Sequence, residues 1–377
     1  MKNLSKILLP RQLLLLLLLA TGLLNHVILI PNLLSASGRD SWISVIIAFP
    51  ISLIFLYFIL YIIKNSPPEG VFSLIRSKLG KVFYWLLVIP VLLFLFISSY
   101  VTLFDLIIWL NAYFLTDYSL TIITIVLVSS CFLVTLAGVK YIAIASGFIL
   151  PLVMLFGFMI AGINTSVKDP SLLFPVLSFG WSPVMKGVIY TLSGLLEVYV
   201  VILLQPFLQE PIKFRHLLIL LVILTGLIFG PLTASIMEFG PTEAQNYRYP
   251  AYEQWRIISI GEYINHLDFF ALYQWLSGAL VRVGLFMYLL GVFFTKELKH
   301  YRIKPKLVFI MYVILLGLLI IVKVEPHYFN TYLYLYFLPS CFVFFTVYIL
   351  LSSWILFVLK KRNEQLVEKP KVESESK

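Results

Sequence analysis

Long, uninterrupted apolar runs decide the fold class of this chain. Hydrophobic residues make up 61% of its 377 residues, charged residues make up 12%, and the mean hydropathy is +0.98. The runs approach the length of about 20 residues that an α-helix needs to cross a bilayer. Because they are continuously apolar and do not alternate with polar residues, they indicate spanning helices, not spanning strands. The sequence predicts an all-α integral membrane protein.

Ten such runs can be placed along the chain. They lie at 12–34, 42–63, 82–112, 118–137, 141–163, 184–208, 216–237, 269–292, 307–322 and 333–359. The first follows Lys2, Lys6 and Arg11 and could be read as a signal peptide, but it is longer than a usual signal core. We treat it as a span. The expected organisation is one ten-helix transmembrane domain over residues 1–359 and a charged, disordered tail over 360–377.

Two of these spans, the first and the sixth, are interrupted in the same way. One contains Thr21-Gly22-Leu23-Leu24-Asn25 and the other Ser193-Gly194-Leu195-Leu196-Glu197, and a proline closes each, at Pro31 and Pro206. Paired interruptions at corresponding positions of two halves indicate a transporter-type binding site. Chance is the alternative, because leucine-rich helices resemble one another easily. Since five spans precede the second copy, the pattern predicts a five-plus-five inverted repeat with broken spans 1 and 6.

The interruptions supply candidate ligand-binding residues. Unwinding at Gly22 and Gly194 would free backbone groups, and half-helix N-termini suit a carboxylate while freed carbonyls suit an ammonium group. A small polar ligand is therefore expected, and a zwitterionic amino acid fits best. The candidate ligand-binding residues are Thr21, Gly22, Leu23, Asn25, His26, Ser193, Gly194 and Glu197.

Three ionisable residues, Asp105, Glu197 and Arg282, lie deep within predicted spans. Such groups face the protein interior and usually pair with one another. Either acid could form an ion pair with Arg282 that only locks helices together. The other reading is a role in binding a ligand or a proton.

Charge in the connections predicts the orientation. Lysine and arginine concentrate in the N-terminus, the even-numbered connections and the C-terminal tail, so both termini are expected to be cytoplasmic. The net charge of +10 is distributed as expected for contact with anionic lipid headgroups, and not for nucleic acid.

Two connections carry further structure. Residues 64–81 include an amphipathic stretch, Val71–Leu79, expected at the inner interface. Residues 238–268 form the longest outer segment, where a helix from about Pro250 would carry the partly apolar face Trp255, Ile258, Tyr263 and Leu267. Such a segment could fold over the mouth of a central site, or be an ordinary solvated loop.

The sequence holds no recognisable enzyme signature. It lacks H-E-x-x-H, G-x-S-x-G and a Walker loop, and it has no clustered histidine and cysteine at metal-ligand spacing. Cys131 and Cys341 fall inside apolar runs and are expected in the core. We expect no enzyme activity, no cofactor and no metal.

The chain resembles the endospore germination permeases, the B subunits of germinant receptors, within the amino acid–polyamine–organocation superfamily. The resemblance covers residues 5–360. It rests on the K-x-L-x-P-R-Q opening, the ten-span layout and the outer-segment pattern Phe239-Gly240, Tyr249-Pro250, Glu253, Arg256, Gly261-Glu262 and Leu267-Asp268.

The resemblance implies a leucine-transporter-like fold with spans 1, 3, 6 and 8 around a midplane pocket. Because spans 3 and 8 would both line that pocket, it makes Asp105 the expected partner of Arg282, with Glu197 as the alternative. It also implies a home in the spore inner membrane and a complex with an A subunit and a lipoprotein C subunit. Members of the family sense amino acids, sugars or nucleosides and do not perform net transport.

The favoured function is a germinant-sensing subunit that binds a small polar ligand and triggers spore germination. The alternative is a proton-coupled amino-acid symporter using Glu197 or Asp105. The predicted span Tyr141–Ile163 contains no lysine, although some proton-coupled relatives carry one there. A membrane enzyme is the third and weakest reading.

Overall fold

The structure, a computed structural model, describes residues 6–258, 267–295, 302–322 and 324–374. Across these ranges its regular elements are helices, and an isolated β-bridge joins Leu8 and Leu208. The α-helices of the first half are α1 (Pro10–Leu23), α2 (Leu29–Ser37), α3 (Ser41–Asn65), α4 (Val71–Tyr113), α5 (Leu120–Ala137) and α6 (Val139–Ile163). Those of the second half are α7 (Trp181–Leu195), α8 (Val200–Leu204), α9 (Phe214–Phe239), α10 (Pro241–Asn246), α11 (Pro250–Arg256), α12 (Phe269–Phe293), α13 (Pro305–Ile321), α14 (Pro326–Tyr332) and α15 (Leu338–Ser374).

The all-α membrane class is confirmed. Among the described residues, eight helical stretches are long and apolar enough to cross a membrane. One of them, Pro10–Asn65, contains the first two predicted spans, and α13 is a shorter apolar helix. The count of ten spans, the inverted repeat and the disorder of the tail stay predictions.

The first and sixth spans both depart from α-helical geometry, but neither is unwound at its glycine. Gly22 lies inside α1 and is followed by a π-helical turn, Leu24–Ile28. Gly194 lies inside α7 and is followed by a 3-10 turn, Leu196–Tyr199. The expected unwinding is therefore wrong. A π-turn and a 3-10 turn change the hydrogen-bond register while keeping the backbone paired, which costs less in a bilayer than free backbone groups.

The amphipathic stretch before the third span is a helix of its own. Gly80, at φ 88°, breaks α4 after Leu79, a conformation that residues with a Cβ rarely adopt. Val71 and Ile75 are buried, whereas Arg76 and Lys78 are exposed. This part of the sequence interpretation is confirmed in its amphipathic character.

The segment that the sequence predicts to lie outside is described over residues 240–258, for which we keep the name outer segment, and it packs against α2 and α9. Its second helix, α11, begins at Pro250 as predicted and ends at Arg256. Trp255 and Ile258 are buried. Tyr263, the third member of the predicted apolar face, lies outside the described residues.

The N-terminal segment is tied to the end of the sixth span. The backbone N–H groups of Ile7 and Leu8 donate to the carbonyl of Phe207 at 2.8 and 2.9 Å. The Gln209 N–H in turn donates to the carbonyl of Leu8 at 2.9 Å, which forms the isolated bridge between Leu8 and Leu208. Ile7 and Leu8 are buried.

The first half of the sixth span packs closely on the first two spans at Gly187. The Ser37 hydroxyl donates to the Pro183 carbonyl at 2.7 Å, and the Ser44 hydroxyl donates to the Val184 carbonyl at 2.9 Å. A Cβ on Gly187 would lie 2.1 Å from the Ser37 Oγ and 2.8 Å from the Ser44 Cβ. Small residues at such contacts let helix backbones approach in a membrane.

Gly187→Ala should therefore lower the melting temperature of the purified protein, because overpacking costs about 1–3 kcal/mol. Gly157→Ala is the matched control, since a Cβ there meets nothing within 4 Å. It should be neutral or stabilising by up to about 1 kcal/mol through helix propensity. Equal melting temperatures for the two variants would contradict this account of the packing.

Candidate functional site

One arginine joins four of the spans at the centre of the helical core. Arg282 and Glu197 are both 0% exposed, and the guanidinium pairs with the carboxylate through Nη1 to Oε1 and through Nη2 to Oε2 at 3.0 Å. The Arg282 Nε donates to the Thr102 hydroxyl at 3.0 Å, and Nη1 also donates to the Ala20 carbonyl at 3.1 Å. The guanidinium carbon lies 4.5 Å from the centre of the Phe286 ring.

This arrangement compensates the buried charge of Arg282, which would be costly at membrane depth without a partner. A charged side chain at the bilayer centre costs about 2.5–3.5 kcal/mol on insertion scales. The Glu197 carboxylate accepts hydrogen bonds from both terminal nitrogens of Arg282. The Thr102 hydroxyl and the Ala20 carbonyl accept further hydrogen bonds from the same guanidinium. The Ala20 carbonyl comes from α1 shortly before the π-turn, where the Leu24 N–H donates to the Thr21 carbonyl.

The pairing corrects one sequence prediction. The expected Asp105–Arg282 pair is wrong, and the alternative partner, Glu197, is the observed one. Asp105 pairs instead with Arg248 of the outer segment. The reason is depth along α4: Thr102 lies at the level of Arg282, and Asp105 lies one helical turn nearer the Tyr113 end of the helix.

The two interrupted spans meet at Asn25 and Gly194. A Cβ on Gly194 would lie only 2.1 Å from the Asn25 Oδ1. The Asn25 Nδ2 donates to the Thr21 carbonyl at 3.0 Å. The Oδ1 is buried and accepts no hydrogen bond within the part of the chain that the structure describes. A buried amide oxygen without a donor is costly and marks a position where a ligand donor would be favourable.

The other predicted site residues point elsewhere. Gly22 faces Leu227 of α9, where a Cβ would lie 3.3 Å from the leucine Cδ1. His26 also contacts the backbone of Leu227. Leu23 packs against Gly278 of α12. These three residues surround the junction but do not face it.

The two predicted hydroxyl residues are bonded within their own helices. The Thr21 hydroxyl donates to the Leu17 carbonyl at 2.7 Å. The Ser193 hydroxyl donates to the Tyr190 carbonyl at 2.6 Å. Both residues are fully buried. Ligand binding by any residue of the predicted set stays a prediction.

A cleft elsewhere in the molecule does not coincide with this junction. It is lined by apolar residues near Pro206, Phe207 and Phe293, together with Glu69. None of the predicted ligand-binding residues lines it. The Asn25 Oδ1 lies directly against Gly194, and Arg282 and Glu197 contact each other, so the structure shows a closed arrangement of these residues.

Sequence reasoning missed two hydrogen-bond partners of Arg282 and the ion-pair partner of Asp105. Thr102 is one of many hydroxyl residues in the spans, and the Ala20 carbonyl is a backbone group with no sequence signal. Arg248 lies in a connection where arginine is unremarkable. The available signal for Thr102 was its spacing of three residues from Asp105, which places both on one face of a helix.

The geometry generates a test of the central pair. Arg282→Met and Glu197→Gln should each lower the melting temperature and membrane abundance, because an unpaired buried charge costs about 3–5 kcal/mol. The double variant should recover part of that loss.

Arg282→Met combined with Asp105→Asn is the matched control, because it removes an acid from a different pair. It should be no more stable than Arg282→Met alone. Recovery with Asp105→Asn and none with Glu197→Gln would contradict the observed pairing.

Comparisons with known proteins agree with the resemblance drawn from the sequence. Residues 10–328 match the spore permease family, described as spore germination protein. The chain is 41% identical to spore germination protein XB of Bacillus anthracis over 280 residues, covering 74% of this chain and 78% of that protein. It is 25% identical to spore germination protein KB of Bacillus subtilis strain 168 over 267 residues, covering 67% of this chain and 69% of that protein. With this match across most of its length, and with helices suited to a membrane, the chain belongs to the spore permease family of spore germination proteins.

Proposed function

We propose that this protein is a germinant-sensing membrane subunit of a spore germination receptor, and that its ligand binds where Asn25, Gly194, Glu197 and Arg282 converge. The observation that carries the proposal is the fully buried Arg282–Glu197 pair, whose Glu197 follows by three residues the Gly194 against which the unpartnered Asn25 oxygen lies. Ionisable residues at membrane depth mark ligand or ion pathways in membrane proteins. Membership of a family of spore germination proteins supplies the biological role.

The charge of the junction favours a zwitterion, and an α-amino acid is the simplest one. Arg282 and Glu197 sum to zero, so a ligand of zero net charge leaves the buried site neutral. The ligand carboxylate would pair with the Arg282 guanidinium. The ligand ammonium group would pair with Glu197 and donate a hydrogen bond to the Asn25 Oδ1. A purely anionic or cationic ligand would leave one buried charge unpaired, at a cost of about 3–5 kcal/mol.

The setting of the protein follows from the same proposal. It would act in the spore inner membrane, with both termini cytoplasmic, and would assemble with an A subunit and a lipoprotein C subunit. The distribution of lysine and arginine supports this orientation. The resemblance to germinant-receptor B subunits supports the partners.

Sensing is favoured over proton-coupled transport because the matching family and relatives are spore germination proteins. In the present arrangement both carboxylate oxygens of Glu197 accept hydrogen bonds from Arg282, so a ligand would have to replace the guanidinium before Glu197 could take up a proton. Uptake of labelled amino acids into proteoliposomes separates the two functions. A sensor binds the amino acid without accumulating it, whereas accumulation driven by a proton gradient would establish transport.

The proposed ligand charge can be tested by removing one charge from the protein and the matching charge from the ligand. A panel of amino acids should raise the melting temperature of the wild-type protein in lipid nanodiscs and should trigger germination of wild-type spores. In Glu197→Gln the site has a net charge of +1, so the matching monocarboxylate, such as propionate for alanine, should stabilise the variant more than the amino acid does.

Glu238→Gln is the matched control, because Glu238 is another buried carboxylate but lies in α9 and pairs with Lys168. It should keep the wild-type preference for the amino acid. An unchanged preference in Glu197→Gln would place the ligand site elsewhere.

A further inference from the structure

A second buried ion pair holds the outer segment onto α4. The Arg248 Nη2 pairs with the Asp105 Oδ1. The Arg248 guanidinium carbon also lies 4.8 Å from the centre of the Tyr249 ring, and the Tyr249 hydroxyl donates to the Asp105 Oδ1 at 3.3 Å. One cation is thus held by a carboxylate and an aromatic face, two groups that proteins use to bind ammonium and guanidinium ions.

The two members of this pair differ in their contact with water. The Asp105 side chain is 5% exposed, whereas the Arg248 side chain is 20% exposed. Tyr249 is buried. The carboxylate therefore belongs to the core of α4, and the cation reaches it from the surface.

The pair lies directly beside the candidate ligand site. Asp105 follows Thr102 by three residues on α4, a separation of about 4.5 Å along the helix axis and on the same face. The Thr102 hydroxyl is bonded to Arg282. Any route from the Tyr113 end of α4 to the Arg282–Glu197 pair along this face passes Asp105.

We propose that Asp105 and Tyr249 form a cation subsite at the outer end of the core, filled in this structure by the protein's own Arg248, and that an external ammonium or guanidinium group can replace it. Replacement releases one anchor of the outer segment. The segment keeps other anchors, including the Tyr252 hydroxyl to Asp268 at 2.9 Å and the Gln254 Nε2 to Ser235 at 2.7 Å. The exchange is therefore local.

The chemistry of the subsite selects its occupant. Asp105 repels carboxylates, and the Tyr249 face attracts cations, so an amino acid would enter with its ammonium group first. This last step rests on the proposed function. The existence of the subsite does not rest on the proposed function, because a simple cation such as guanidinium, which need not be a germinant, can fill it.

The test is chemical rescue of Arg248→Ala in the full chain, in lipid nanodiscs. Hydrogen–deuterium exchange of the α11 backbone amides reports whether the outer segment is anchored. Loss of the pair should speed that exchange by about tenfold. Millimolar guanidinium chloride should restore most of the protection, and sodium chloride of equal ionic strength should not.

Two variants make the result specific. Asp105→Asn added to Arg248→Ala should abolish the rescue, because the carboxylate is gone. Arg256→Ala is the matched control: Arg256 lies at the end of the same helix, pairs with Glu253 and lies over the Tyr113 ring, but it is 52% exposed. Loss of Arg256 should speed the exchange of α11 less than loss of Arg248 does, because an exposed ion pair contributes little in water, and any effect of guanidinium on this variant should not depend on Asp105. If Arg248→Ala is not recovered from membranes, Arg248→Ser replaces it in the same assay, because serine also leaves room for guanidinium.

Rescue that is absent in Arg248→Ala, or that persists after Asp105→Asn, overturns the subsite. Amino-acid binding is measured in the same nanodiscs by the shift in melting temperature. A wild-type protein that shows guanidinium rescue in its Arg248→Ala variant but binds no amino acid keeps the subsite and overturns the proposed function. Amino-acid binding without guanidinium rescue overturns the subsite and keeps the proposed function.

Discussion

The buried pair between Arg282 and Glu197 is the interaction on which the centre of this protein depends. A guanidinium at this depth requires an anion and further acceptors, and they come from three other spans: Glu197, the Thr102 hydroxyl and the Ala20 carbonyl. Glu197 itself lies in the 3-10 turn that follows Gly194. The helix irregularity and the ion pair are therefore parts of one local structure.

The helix α4 connects this pair to the outer segment. Its Thr102 contacts Arg282, and its Asp105, one turn further along, contacts Arg248. Around the outer pair lies an aromatic cluster in which Trp109 and Trp275 are 4.1 Å apart by ring centroids and Tyr252 is 5.3 Å from Trp109. The cluster reaches the pair through Tyr249, whose ring centroid lies 5.4 Å from that of Trp275.

The sequence was sufficient to find the ionisable residues but not to pair them. Asp105, Glu197 and Arg282 stand out because each interrupts an apolar run, and burial is confirmed for all three. Their pairing depends on depth and rotation of the helices, which no spacing within one span reveals. The same limit applies to the glycines. The repeat predicts equal roles for Gly22 and Gly194, yet one faces Leu227 and the other faces Asn25.

The outer segment shows the opposite case, in which local sequence chemistry was informative. Proline at the first position of a helix fixes the backbone and needs no hydrogen-bond partner, so Pro250 marks the start of α11. Trp255 is buried as expected from its place on the apolar face. The contact of Arg248 with Asp105 joins residues 143 positions apart in the chain, and a long-range pair of this kind has no local signal.

The two ends of the core are held together by different chemistry. At the Tyr113 end, the closing contact includes an ion pair whose cation reaches the surface, and ions in water compete with such a contact. At the other end, backbone hydrogen bonds join Leu8 to Phe207 and Gln209, and Gly70 packs on Pro206. These contacts are backbone hydrogen bonds and apolar packing, and the cleft beside them is lined mainly by apolar residues together with Glu69. The two ends therefore differ in what a solute would have to displace: an ion pair at the Tyr113 end, and uncharged packing contacts at the Pro206 end.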